Sequence, residues 1–140
     1  MSRFFLSCGA ASAAVAVSLG ALAAHALQGR LEPRMLNAFE VGVRYQMYHA
    51  LGLIAVAWVV SRTSGAAAAA AGWLLIAGTA LFSGSLYGLA LGGPRWLGPI
   101  TPLGGLSFMA GWLCLAAAGW RGTSWPGPGR PPAGGTSHEG

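Results

Sequence analysis

The chain has 140 residues, of which 54% are hydrophobic and only 8% are charged, against about 25% charged residues in an average soluble domain. Its basic residues are all arginines and give a formal net charge of +5. They stand singly at the ends of apolar segments, where basic residues set membrane topology. This pattern excludes a nucleic-acid-binding protein, which would gather its basic residues in one patch, and indicates one compact unit in a membrane.

The first predicted helix covers residues 4–27, an apolar run interrupted only by Ser, Gly and His25. A helix of this length crosses about 30 Å of hydrocarbon. The alternative is a secretory signal peptide, with Arg3 as its positive end and a cleavage site at residues 24–26. Because the apolar run exceeds the roughly 7–15 residues of a signal-peptide core, we expect a retained membrane span.

The second predicted helix covers residues 36–60 and contains the most unexpected stretch of the chain. Residues 44–49 carry a guanidinium, an amide, an imidazole and two phenols, although a charged group at the centre of a membrane helix costs about 3 kcal/mol. The strictly apolar residues 50–60 are too few to span alone. The polar stretch must therefore lie within the membrane or at its edge and face protein, and its default interpretation is functional.

Glu40 and Arg44 lie four residues apart in the acid-before-base order that favours an ion pair on a helix. Such a pair would lower the cost of placing both charges in the membrane. A pair at the membrane surface that merely caps the apolar segment explains these two residues equally well.

The third and fourth predicted helices cover residues 66–91 and 103–120. Residues 121–140 contain almost no apolar side chain, so we expect a disordered tail. The fold class is therefore an all-α membrane protein, a four-transmembrane-helix bundle in residues 1–120 followed by a disordered C-terminal tail.

Two ladders of small residues predict close helix contacts, because lipid leaves van der Waals packing as the main attraction between helices. We expect Gly84→Leu to disrupt the bundle, and we expect Leu75 to face lipid. Cys8 and Cys114 are predicted to be buried small hydrophobic residues. The two ladders are Ser12, Ala16, Gly20 and Ala24 in the first helix and Ala80, Gly84, Gly88 and Gly92 in the third.

Four spans place both termini on one side of the membrane. That side carries slightly more of the scattered arginines, which predicts cytoplasmic termini in the cell inner membrane. The polar residues then fall in the half of the bundle away from the termini, above a dry half of Ala, Val, Leu and Ile. A one-sided cluster of this kind is typical of a small-molecule pocket or a docking site rather than a continuous pore. The candidate ligand- or partner-binding residues are His25, Gln46, His49, Ser83, Ser85, Tyr87 and Thr101.

Four motifs in order carry a resemblance to a known family. They are GALAAHAL at residues 20–27, YQMYHAL at 45–51, LFSGSLY at 81–87 and ITPLGG at 100–105. The chain resembles the YgdD-like small integral membrane protein family, known as domain of unknown function 423. It departs from the family pattern at Ala23, where Gly is more usual, and at Arg44, where a polar or acidic residue is usual. The resemblance implies a multi-pass inner-membrane protein and supplies no established activity.

The leading functional hypothesis is a non-enzymatic membrane protein whose polar cluster docks a lipid-like ligand, another membrane protein or a second copy of the chain. The alternative is a haem- or metal-binding redox component, because His25 and His49 are predicted near one membrane depth, as two axial ligands would be. Hydrogen-bonded interhelical histidines are the simpler interpretation, so no cofactor or metal is expected.

A small transporter or channel is a third hypothesis, weakened by the dry half and by the lack of broken helices in paired repeats. An enzyme is not expected, since no nucleophile, base and acid stand together.

Overall fold

The computed structural model describes residues 1–63 and 65–121. This part of the chain forms four long helices and contains no strand, which confirms the all-α class. The predicted disordered tail lies outside the described residues, except that Arg121 is the last residue of the fourth helix. The helices are α1 (Ser2–Leu22), α2 (Pro33–Arg62), α3 (Ala66–Ala90) and α4 (Ile100–Arg121).

The connection between α1 and α2 follows from its glycine and proline. A five-residue π-helical turn, Ala23–Leu27, continues α1. Gly29 then adopts a positive φ of 76°, a backbone conformation that residues other than glycine rarely adopt. Pro33 opens α2, where its missing N–H costs nothing. Helix α2 therefore begins three residues before the predicted start, because the proline belongs to its first turn.

The connection between α3 and α4 is built in the same way. Gly92 has a φ of 87°, and one 3₁₀ turn, Arg95–Leu97, precedes α4. Helix α4 begins at Ile100, three residues before the predicted start, since Pro102 is accommodated within the first helical turn.

Consecutive helices run antiparallel. The backbone of Gly9 at the start of α1 lies against Ala50 and Leu53 on α2, and that of Gly42 lies against Tyr87 late in α3. Gly104, early in α4, lies against Phe82. The bundle therefore runs up, down, up and down, with α2 packed between α1 and α3, and with α4 packed mainly on α3.

The larger of two buried apolar clusters lies towards the end of the bundle that holds the N-terminus, and a smaller one lies near the other end. In the larger cluster, Phe5 is fully buried over the backbone of Gly72. Leu75 is also fully buried, between Gly52 on α2 and Gly111 on α4. The prediction that Leu75 faces lipid was therefore wrong, because two glycines on neighbouring helices leave space for its side chain.

The small-residue ladders are confirmed in part. On α1, Ala16 is buried and Gly20 lies against Val43, whereas Ala24 is exposed. On α3, Gly84 is exposed, and a methyl group placed there would meet no described atom within 4 Å. The predicted disruption by Gly84→Leu is therefore not supported. The contact face of α3 instead contains Gly72, covered by Phe5, and Gly78, covered by Phe108.

Three helical segments of the described chain are long and apolar enough to cross a membrane, namely Ser2–Leu27, Ala66–Ala90 and Arg95–Trp120. Helix α2 is not among them. It has 30 residues, which is sufficient length, but Glu40, Arg44 and the polar residues near them lower its hydropathy. The expected four helices are present, and length and composition alone support three of them as spans.

Candidate ligand-binding groove

The polar side chains in the middle of α2 face protein, as the sequence predicted. Gln46 is only 6% exposed and His49 only 4%. The opposite side of the helix exposes apolar groups, including Leu51, Ile54 and Trp58. From Gln46 to Trp58, α2 therefore turns polar groups towards its neighbours and mainly apolar groups outwards, the reverse of a helix on the surface of a soluble protein.

The carboxamide of Gln46 connects three helices. Its Nε2 donates a hydrogen bond to the Ser12 carbonyl on α1 over 3.1 Å. Its Oε1 accepts one from the Tyr87 hydroxyl on α3 over 2.8 Å. Both ends of the amide are therefore occupied within the protein, which gives Gln46 and Tyr87 a role in helix packing.

The predicted hydroxyl residues also hold helices together. Ser83 donates to the Gly42 carbonyl on α2 over 2.8 Å. The Ser85 hydroxyl lies 2.9 Å from the Phe82 carbonyl and 2.7 Å from the Thr101 hydroxyl on α4. Because a carbonyl can only accept, the Ser85 proton goes to Phe82 and the Thr101 hydroxyl donates to Ser85. These hydroxyl groups point to neighbouring helices rather than to a ligand.

His25 lies apart from the other candidates. Its side chain is exposed in the π-helical turn and makes no hydrogen bond to any described residue. Since Gly20 lies level with Val43, residue 25 lies level with about residue 38 of α2. That is roughly 16 Å along the helix from His49 at 1.5 Å per residue. The prediction of one membrane depth was wrong, so the two imidazoles cannot ligate one iron from opposite faces in this arrangement.

The described residues contain no group of three or more His, Cys, Asp or Glu side chains that could hold a metal ion.

The predicted ion pair of Glu40 and Arg44 is not formed within the described chain, and both side chains are exposed. They line a separate cavity of about 420 Å³ between α1 and α2. Long charged side chains at such positions can extend to the headgroup region, which explains how each remains solvated without the other.

His49 differs from the other buried polar residues because one of its ring nitrogens has no partner. Its Nδ1 lies 2.6 Å from the Tyr45 carbonyl, which can only accept, so Nδ1 carries the proton. In the neutral ring, Nε2 then carries a lone pair and is an acceptor. It makes no hydrogen bond to a described residue. No hydrogen-bonding side-chain atom of the described chain is both fully buried and unpaired, so Nε2 must be accessible from outside the protein.

The space that His49 borders is a groove of about 800 Å³ between α2 and α4. The exposed side chains of Leu106 and Met109 lie along it, and Phe82 of α3 lies between its two walls. We call it the aromatic groove. It is lined by Tyr45, Tyr48, His49, Phe82, Pro102, Gly105, Leu106, Phe108, Met109 and Trp112.

The rings of the aromatic groove contact one another. His49 stacks on Phe108. The Phe82 ring centroid lies 4.7 Å from that of Tyr45 and 5.6 Å from that of Phe108. Trp112 lies one turn further along α4, with its centroid 6.1 Å from that of His49. Ring pairs at 4.5–7 Å stabilise one another, so the wall is a connected aromatic layer.

The sequence interpretation missed most of this groove. Of its candidate residues only His49 lines the groove, and Phe82, Phe108 and Trp112 were not among them. The available signal was the helical spacing of aromatic residues, since Tyr45 and His49 are four apart and so are Phe108 and Trp112.

The sequence interpretation also missed a contact between α4 and α3, in which Ser107 donates a hydrogen bond to the Leu74 carbonyl over 2.8 Å.

Comparison with known proteins gives a family and relatives. Residues 19–105 match the model of a protein family of unknown function, DUF423. The chain is similar to the UPF0382 membrane protein YwdK of Bacillus subtilis (strain 168), with 45% identity over 117 residues, or 83% of this chain and 95% of that protein. It is 49% identical over 113 residues to a UPF0382 membrane protein of Staphylococcus haemolyticus, covering 81% of this chain and 92% of that protein. No solved structure matches it.

Proposed function

Starting from the premise that this chain belongs to the DUF423 family of unknown function, we propose that it crosses the membrane four times and binds a lipid-like ligand in the aromatic groove. The family predicted from the four sequence motifs is confirmed, whereas the narrower YgdD-like name is not. The relatives are named only as membrane proteins, so the activity has to be argued from the geometry of this chain.

One observation carries the proposal. His49 is 4% exposed, yet its Nε2 has no hydrogen-bond partner among the described residues and borders the aromatic groove. Nε2 opens to the groove and not to water, and a polar atom that is left without a hydrogen-bond partner away from water costs about 1–3 kcal/mol. A ligand that donates a hydrogen bond to Nε2 removes that cost.

The shape and chemistry of the groove favour a lipid-like ligand. Its volume of about 800 Å³ lies within the range of roughly 300–1,000 Å³ for small-molecule sites. The lining contains no charged side chain, which disfavours an ionised ligand. An apolar molecule with one neutral hydrogen-bond donor can pack on the apolar walls and donate a hydrogen bond to His49. Docking of another membrane protein or of a second copy stays a prediction without a comparable observation.

The four-span topology rests on the directions of the helices. Helices α1 and α3 run the same way, and α2 packs antiparallel between them. If α1 and α3 cross the bilayer, a return through α2 is the simplest path, with its polar groups turned inwards and its apolar groups turned to lipid. The slight arginine bias supports cytoplasmic termini in the cell inner membrane.

The composition of the groove supports the proposal of a non-enzymatic role. His49 is its single imidazole, and no Ser, Cys, Asp or Glu stands with it among the lining residues. A nucleophile with its base, or a pair of acid and base groups, is what acyl transfer or hydrolysis requires. The groove is thus suited to binding.

Gly105→Leu provides the test, because it fills the groove from α4. A methyl group on Gly105 would meet only Phe82, at 4.0 Å, so the bundle can accept the change. Gly84→Leu is the matched control, on an exposed and open position of α3. Native mass spectrometry of protein purified in mild detergent should show a bound lipid-sized ligand in the natural protein and in Gly84→Leu, and none in Gly105→Leu. Retention of the same ligand by Gly105→Leu would refute the proposal.

A further inference from the structure

Building on the proposed function, we infer that the ligand of the aromatic groove is a lipid-soluble quinol, a flat hydroxylated ring on an isoprenoid tail. Three features of the groove support this ligand: the aromatic rings of its walls, the direction of the hydrogen bond that His49 can make, and the open side along α4.

Six of the ten residues that line the groove carry flat aromatic rings, and Leu106 is its one branched aliphatic side chain. Tyr48 and Trp112 line the groove with about half of each side chain exposed, 53% and 42%. Their rings are therefore available to a ligand. Aromatic faces pair preferentially with other flat rings, by about 0.5–1.5 kcal/mol beyond the burial of area. A flexible acyl chain gains no such term, and it would pack equally well on the Ala, Leu and Val surface elsewhere on the bundle.

The tautomer of His49 selects the polar group of the ligand. Because Nδ1 donates to the Tyr45 carbonyl, Nε2 of the neutral ring can only accept. The ligand atom facing it must therefore carry a proton. A quinol O–H meets this requirement, whereas a quinone carbonyl, an ester carbonyl and a phosphate oxygen are acceptors and leave Nε2 unpaired.

The extent of the groove accommodates a ring with a tail. From Pro102 to Trp112 the lining runs for ten residues of α4, which is about 15 Å at 1.5 Å per residue. A single ring beside His49 fills only part of this length. The first units of the tail then lie along the exposed Leu106 and Met109, and the remainder leaves through the open side into the bilayer.

Three probes separate these requirements in thermal unfolding of the detergent-solubilised protein under anaerobic conditions. They are decylubiquinol, decylubiquinone and dioleoylglycerol, which has a hydroxyl but no flat ring. A ligand that binds only the native state raises Tm by an amount set by the ratio of its concentration to its Kd, so a tighter ligand gives the same shift at a lower concentration. We expect decylubiquinol to raise Tm at concentrations at least tenfold lower than either of the other two probes. Equal effects of quinol and quinone, or of quinol and dioleoylglycerol, would overturn the inference.

One variant of His49 tests the contact itself. His49→Phe keeps a flat ring against Phe108 and removes the acceptor, so we expect the apparent affinity for decylubiquinol to fall at least tenfold and that for decylubiquinone to stay unchanged. An unchanged quinol affinity in His49→Phe would overturn the inference. If quinol has no effect on the natural protein while Gly105→Leu still loses the co-purifying ligand, the groove binds a different lipid, and only the quinol assignment fails.

Discussion

The imidazole ring of His49 lies face to face with the ring of Phe108, with centroids 3.3 Å apart and planes within 5° of parallel. Helix α4 packs mainly on α3, so this stack is one of the places where α2 and α4 meet. It fixes the plane of the imidazole, while the hydrogen bond from Nδ1 to Tyr45 fixes its rotation. The free nitrogen of His49 is therefore held in one direction before any ligand arrives.

Truncation of Phe108 should loosen that arrangement. Phe108 is 4% exposed and packs on Gly78 as well as on His49. We expect Phe108→Ala to lower the free energy of unfolding by about 1–2 kcal/mol. This is less than the 3–5 kcal/mol of soluble cores, because lipid offers no hydrophobic transfer term. Unfolding in detergent measures the effect. Met109→Ala, at a side chain 63% exposed, is the control, and equal losses in both variants would contradict this assignment.

The two histidines should behave differently. The sequence interpretation placed both His25 and His49 among the candidate binding residues. The structure leaves His25 exposed and His49 in the aromatic groove. We therefore expect both variants to express and unfold as the natural protein does, with loss of the co-purifying ligand in His49→Gln alone. Native mass spectrometry compares them, and ligand loss in His25→Gln would show that the site extends to the π-helical turn.

The hydrogen bond between Gln46 and Tyr87 should contribute only modestly to stability. Membrane hydrogen bonds average about 0.6 kcal/mol in double-mutant cycles. We expect a coupling free energy of that order from Gln46→Leu, Tyr87→Phe and the double variant, measured by unfolding in detergent. Ser18 with Leu22 provides a reference cycle, since the Ser18 hydroxyl bonds within its own helix and should show no coupling. A Gln46–Tyr87 coupling near zero would indicate that the 2.8 Å contact adds no stability.

Glycine substitutions should distinguish the true contact face of α3 and α4. A methyl group on Gly104 would collide with the backbone nitrogen of Phe82, and backbone cannot move aside as a flexible side chain can. We expect Gly104→Ala to reduce Tm by several degrees and Gly84→Ala to leave it unchanged or slightly raised, since alanine favours helix. The comparison is made by thermal unfolding of both variants in one detergent. A larger reduction of Tm in Gly84→Ala than in Gly104→Ala would show that Gly84 lies in a helix contact, as the ladder predicted from the sequence requires.

Reporter fusions can decide whether α2 crosses the membrane. Fusions after Gly29 and after Gly65 flank this helix, so a crossing places them on opposite sides, with the Gly65 reporter in the cytoplasm. Fusions at Gly93 and Arg121 are less informative, because these sites lie on opposite sides whether α2 crosses or not. Reporters after Gly29 and Gly65 on the same side would refute the four-span topology.

The parts of this fold that the sequence predicted are those where composition changes sharply. Apolar runs indicated the helices, Gly29 and Pro33 marked a connection, and the polar Gln46 and His49 had to face protein because lipid would not accept them. The contact face of α3 could not be predicted in this way. Its residues are nearly all small or apolar, so either face of α3 could lie against lipid. The face that contacts the other helices is the one on which Gly72 and Gly78 leave space for the rings of Phe5 and Phe108.

The groove was hidden for a related reason. Most of its rings come from segments of α2 and α4 about 60 residues apart, and Phe82 adds one from α3. Each ring alone is an ordinary membrane residue. What distinguishes His49 from Gln46 is a nitrogen left without a partner, which depends on distances between helices. Residue type could identify the candidates, but it could not separate those that hold the bundle together from the one that remains available.

Three contacts between helices end on main-chain oxygens. Gln46 bonds to residue 12, Ser83 to residue 42 and Ser107 to residue 74. Every amino acid supplies a carbonyl, so each contact needs a particular side chain at one end only. Residue 42 is held to glycine by the nearby ring of Tyr87, whereas positions 12 and 74 carry a serine and a leucine whose side chains take no part in these bonds. Homologous chains can therefore exchange these two residues during evolution and keep the same bonds, provided that the donor on the facing helix is retained.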